Sequence, residues 1–97
     1  MRAIDTRKAL QELNRVSKRN GLSFERLPRK GAGSHQGIVF RAVATSETVT
    51  VVIPGHSDLS PGVQRELIRY VRGIVDRAPA AALVLEVLTV VFDQKHE

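Results

Sequence analysis

Ile38-Val39-Phe40-Arg41-Ala42-Val43-Ala44-Thr45-Ser46-Glu47-Thr48-Val49-Thr50-Val51-Val52-Ile53-Pro54-Gly55 is the stretch whose reading decides the fold. Two β-branched runs, Ile38 to Val43 and Thr48 to Ile53, flank Ala44-Thr45-Ser46-Glu47, and this pattern predicts an antiparallel hairpin. Side chains alternate across a strand, so Ile38, Phe40 and Ala42 share one face. Val39 and Arg41 fall on the other, together with His35 if the strand extends back that far. Pro54-Gly55 closes the hairpin.

Toward the N-terminus, Arg29-Lys30-Gly31-Ala32-Gly33-Ser34-His35-Gln36-Gly37 is too rich in glycine for regular structure. Before it, Leu22 to Leu27 reads as a short strand ended by Pro28. Asp5 or Thr6 caps a predicted helix to about Arg19, and Asn20-Gly21 supplies a left-handed stop. Ala9, Leu10, Leu13 and Val16 form its apolar side, and Arg7, Lys8, Arg15, Lys18 and Arg19 its basic side. Toward the C-terminus, Ser60 caps a second helix with Pro61 at its first position. Val63, Leu67, Tyr70, Val71 and Ile74 make its expected apolar face, and Arg65, Arg69 and Arg72 an exposed basic stripe.

The expected order is therefore α-β-β-β-α, an α+β fold with both helices on one face of a three-stranded antiparallel sheet. Residues 1–76 make this domain, and residues 77–97 an extension packed on the domain or on a second subunit. After a break at Asp76 to Pro79, Ala80 to Phe92 holds eleven apolar residues. Its alanine and leucine favour helix, whereas Val84, Val87, Val90 and Val91 favour strand. So apolar a segment must be buried, either over the open sheet or against a second copy of the chain, and a homodimer through residues 80–92 is the favoured expectation.

Charge is distributed unevenly. Residues 1–41 carry ten Lys/Arg against three Asp/Glu, a net of +7, and residues 42–97 carry five against seven, a net of −2. A one-sided positive field suits a polyanion such as RNA, or an acidic protein surface; the plainer alternative is a solvated basic face. There is no cysteine, which excludes disulfides and thiolate metal sites and fits a reducing cytosol, so a cytoplasmic location is expected. The segment MRAIDTRKALQEL lacks the apolar run of a signal peptide, and no apolar run is long enough to span a bilayer. The spacing of His35, His56 and His96 matches no common metal-ligand pattern, and Gly31-Ala32-Gly33 lacks the Gly-Lys-Ser/Thr of a phosphate loop, so neither metal nor cofactor is expected.

Three stretches carry chemistry: Lys30-Gly31-Ala32-Gly33-Ser34-His35, then Thr48 to His56 with its Pro54-Gly55-His56, then Leu59-Ser60-Pro61-Gly62 leading into Val63-Gln64-Arg65-Glu66-Leu67-Ile68. In this order and spacing, over roughly residues 6–74, they resemble the HicA-like (YcfA-like) family of mRNA interferase toxins. That family has a short helix, a basic turn ending in Gly-Ser-His, a hairpin leading to Pro-x-His, and a helix opening with a Pro-Gly or Lys-Gly step. The resemblance implies a fold like that of double-stranded-RNA-binding domains. It also implies the toxin of a type II toxin–antitoxin system, a metal-independent endoribonuclease with His35 as its catalytic residue, and a HicB-type antitoxin as partner.

The implied chemistry is sound on its own terms. Imidazoles titrate near pH ~6.5, so one beside an RNA 2′-hydroxyl can act as base for attack on the adjacent phosphodiester, or as acid to the leaving oxygen. Glycines such as Gly33 let backbone amides approach a phosphate, and Arg29, Lys30 and Arg41 would hold it, with Lys18 and Arg19 on more distant phosphates. Ser34 is either a phosphate donor or a turn residue, and His56 either a secondary RNA contact or part of the loop before Ser60. Without the resemblance, His35 reads as an ordinary exposed loop histidine, and the helix arginines as a solvated face. This chain departs from the family at Gln36-Gly37, where members carry another histidine or an aromatic, and in continuing beyond the second helix. Two further readings are a non-catalytic RNA-binding module on the same fold and a protein–protein adaptor that uses its basic face.

Overall fold

The β-branched runs at the centre of the chain form a three-stranded antiparallel sheet. In the computed structural model, which describes residues 2–28 and 35–93, the elements are β1 (Ile4–Asp5), α1 (Thr6–Arg19), β2 (Leu22–Arg26), β3 (Gln36–Ala42), β4 (Thr48–Ile53), β5 (Asp58–Leu59), α2 (Pro61–Arg72) and α3 (Ala80–Phe92). The sheet order is β2-β3-β4, with Phe24 opposite Phe40 and Phe40 opposite Val49. Ile38, Phe40, Ala42, Val49, Val51 and Ile53 are buried on one face, as alternation predicts. Phe24 and Phe40 meet edge to face, with centroids 5.6 Å apart. The protein is thus α+β, with three helices among the described residues.

Both outer helices are set by local chemistry. The Asp5 carboxylate accepts the Lys8 N–H at 3.0 Å and caps α1; Gly21, at φ 73°, turns the chain out of it. Ser60 Oγ accepts the Val63 N–H at 3.2 Å, and Pro61 follows at the first helical position. A short pairing absent from the sequence reading, Ile4 opposite Leu59, ties the entry of α1 to the entry of α2. Gln64, fully buried, strengthens it by donating its Nε2–H to the carbonyls of Arg2 and Leu59.

The segment Ala80–Phe92 is an α-helix. Ala80, Ala81, Val84, Val87, Leu88, Val91 and Phe92 are buried in the chain's own core, packed against α1, α2, β3 and β4. A helix apolar on nearly every side is one that other elements surround, which resolves the helix-or-strand ambiguity of its composition. Its first turn has no side-chain cap of its own; instead Glu47, from the β3–β4 turn, accepts the Ala80 N–H at 2.6 Å.

This third helix also corrects the face assigned to α2. Gln64, Leu67, Ile68 and Val71 are its buried residues, and Tyr70 is 53% exposed. The expected face of Val63, Leu67, Tyr70, Val71 and Ile74 rests on apolar spacing alone; contact with α3 rotates the buried arc toward Gln64 and Ile68, leaving Tyr70 on the flank. Strand ends shift too. β3 begins at Gln36 rather than Ile38 and stops at Ala42, because the turn bonds, Ser46 N–H to Ala42 O at 2.7 Å and Ala42 N–H to Glu47 O at 2.8 Å, leave Val43 outside the ladder. No helix among the described residues is long and apolar enough to cross a membrane.

Candidate functional site

The register fixes where the candidate residues stand. Gln36 pairs with Ile53, so His35 lies beside the β4 exit into Pro54-Gly55-His56. Both histidine-bearing segments are therefore at one end of the sheet, and both histidines are exposed. The N-terminus of α1 meets the second segment there: the Thr6 hydroxyl donates to the His56 carbonyl at 2.6 Å, and the Thr6 N–H to the Ser57 carbonyl at 2.8 Å. The backbone of His56 thus anchors the loop, while its imidazole is left at the surface.

Gln36 is the positioning group that sequence reasoning missed. Only 6% exposed, it faces inward with Ile38, Phe40 and Ala42, and its Nε2 donates to the carbonyl of Leu27 and, at 3.2 Å, to that of Gly37. The Leu27 N–H donates to the Gly37 carbonyl at 2.8 Å, so the two chain ends that bracket residues 28–35 are clamped together. Gly37 allows this close approach, since a Cβ there would lie 3.0 Å from Leu27 Cδ1. Gln36-Gly37 therefore has a structural role next to His35. Extending the inward alternation from Ile38 back by two residues would have found it.

Arg41 stands elsewhere. It is six residues from His35 on the same extended chain, ~20 Å at a rise of ~3.3 Å per residue. One phosphate cannot touch both, so Arg41 is not the partner of His35 that sequence reasoning made it. Its Nη1 donates to the Ser46 carbonyl at 3.4 Å, across its own hairpin turn. Lys18 and Arg19, both exposed, occupy the last turn of α1, and the Gly21 carbonyl just beyond accepts the Val43 N–H at 2.9 Å. These two cations and Arg41 thus belong to the hairpin-turn end of the sheet, opposite the histidines. Arg29, Lys30, Gly33 and Ser34, together with His96, lie outside the described residues.

No known protein family, curated protein or solved structure matches this chain. The site must be read from its own geometry.

That geometry offers an exposed imidazole at one sheet end and separated cations around the rest of the surface. Among the described residues no three His, Asp or Glu side chains converge as a metal-binding group. Glu12, on the exposed side of α1, has its carboxyl held below the usual range, chiefly by the hydrogen bond from the Arg15 guanidinium. This intrahelical pair occupies Arg15, whereas Arg7, Lys8, Lys18 and Arg19 on the same helix make no side-chain bond among the described residues and remain available to a polyanion.

Proposed function

We propose that this protein is an endoribonuclease of the HicA-like toxin class, cleaving mRNA without a metal through His35, on a fold related to double-stranded-RNA-binding domains. The observation that carries the reading is the register of β3 and β4. It brings His35 and the Pro54-Gly55-His56 segment to one end of one sheet, although the two histidines are 21 residues apart in the chain. An exposed imidazole there is free to take the 2′-hydroxyl proton as the oxygen attacks the adjacent phosphorus, and the 5′-oxygen leaves with a proton from a general acid. The Gln36 clamp holds the backbone on which that imidazole is mounted.

The separated cations suit an extended substrate better than a small one. His35 at one end and Lys18, Arg19 and Arg41 at the other, ~20 Å away, match contacts spread along an RNA backbone. An inhibitory antitoxin of acidic character would find complementary charge on residues 1–41. The test is cleavage of a long single-stranded RNA in EDTA by the wild-type chain and by His35→Ala. Cleavage by the wild type that is lost in the variant is expected; unaltered cleavage by the variant would remove His35 from the chemistry. Salt-sensitive binding with no cleavage by either protein would instead make this an RNA-binding module.

A further inference from the structure

We propose that the cleft between α2 and α3, lined by Arg65, Arg69 and Arg72, is a binding site for consecutive phosphates of a single RNA strand, distinct from the His35 end. The proposal rests on the RNA reading above but not on catalysis by His35.

The cleft has a volume of about 300 Å³, with Ile68 from α2 and Thr89 and Asp93 from α3 completing its lining. The three arginines are exposed, and none makes a hydrogen bond or ion pair among the described residues. Like charges at helical spacing repel and weaken a helix. Arg69 and Arg72, in the last turn, gain from the helix dipole; Arg65, a turn and a half into α2, does not. Among the described residues, Asp93 is the only carboxylate lining the cleft, and it lies beyond ion-pair distance of all three guanidiniums. Three cations against one anion leave an excess that a polyanion would neutralise.

Two features select a phosphate backbone over a folded acidic partner. Guanidinium forks bind phosphate oxygens in pairs, and the stripe from Arg65 to Arg72 runs ~10 Å along the helix, long enough for more than one phosphate. Protein interfaces bury aromatic or apolar anchors beside their arginines, and among the described residues the one large apolar residue lining this cleft, Ile68, is already buried. Thr89 does not hold the arginines: its hydroxyl donates to the Leu85 carbonyl at 2.8 Å, and no guanidinium donates to it among the described residues. Since α2 starts directly after β5, beside the loop that carries His56, a strand leaving the histidine end can continue along Arg65 and then Arg69. Such contacts would hold RNA without reading its sequence.

The experiment is fluorescence anisotropy of a labelled single-stranded RNA at a series of salt concentrations, in a His35→Ala background so that the probe survives. Arg65→Gln/Arg69→Gln is compared with a charge-matched control at two other exposed arginines, Arg2→Gln/Arg77→Gln, and thermal melts verify that both fold. Each phosphate contact contributes about 0.7 to the slope of log K against log salt for a single strand. The cleft variant should therefore lose about 1.4 from the slope, and the control far less. Equal slopes in the two variants, with the parent's salt dependence intact, would overturn the cleft while leaving the RNA reading standing. A parent without salt-dependent RNA affinity would overturn both.

Discussion

Replacing Leu88 by alanine tests whether α3 belongs to the core of the single chain. Leu88 is 0% exposed, at the middle of a helix that touches α1, α2 and the sheet, so truncation leaves a cavity that rigid neighbours on several sides cannot close. Removing a buried leucine to alanine costs about 2–5 kcal/mol, and the enclosed position argues for ~3 kcal/mol or more. A 97-residue domain has roughly 5–15 kcal/mol in all, so this single change removes a large fraction. Urea unfolding followed by circular dichroism should show the midpoint falling by about 2 M, for a slope of about 1.5 kcal/mol per molar. The melting temperature should fall by roughly 12–24 °C, at about 4–8 °C per kcal/mol. Val90→Ala, on the same helix at a position 45% exposed, is the control and should stay within about 0.5 kcal/mol of wild type. A helix whose burial came from a second copy would behave differently: midpoints would rise with protein concentration, and Val90→Ala would cost as much as Leu88→Ala. Either of those results, or a Leu88→Ala variant as stable as wild type, would refute placing α3 in the core of the single chain.

Two further substitutions probe links between elements distant in sequence. Glu47→Ala removes the acceptor of the Ala80 N–H, and a lost helix cap costs about 1 kcal/mol; Glu47→Gln, which keeps a carbonyl oxygen there, should restore part of it in the same urea titration. Gln36→Leu should lower the rate of RNA cleavage several-fold or more by loosening the clamp beside His35, while amide exchange at Leu27 accelerates; normal cleavage with rapid exchange would separate the clamp from the chemistry.

Much of the fold was legible because its signals are local. The caps at Asp5 and Ser60, the stop at Asn20-Gly21 and the alternation from Ile38 to Ile53 each depend on neighbours within a few residues, and the structure contains all of them. What escaped depends on contacts across the chain. The β1–β5 pair involves residues more than fifty positions apart and leaves no pattern in two-residue strands. The helical state of Ala80–Phe92 is set by the groove it fills, and its composition alone admitted both answers. Tyr70 is exposed and Gln64 buried for the same reason, since the packing direction of α2 depends on α3, whose helical state the composition leaves open.

The candidate site divides along the same line. Grouping His35 with Arg41 followed from their shared side of one strand, and sharing a face was mistaken for sharing a site. Period-two alternation fixes direction but not distance, and six residues of strand are ~20 Å. The hairpin register does the opposite work for His35 and His56: far apart in sequence, they reach the same sheet end because Gln36 pairs with Ile53. The basic surface then resolves into separate stations, with Lys18, Arg19 and Arg41 at the hairpin-turn end and Arg65, Arg69 and Arg72 along the α2–α3 cleft. A small anionic substrate would need those charges converged on one point. Dispersed around a histidine that stands apart from them, they fit the proposed RNA strand better, and on that proposal the length of the RNA should govern its affinity more strongly than the bases next to the scissile bond.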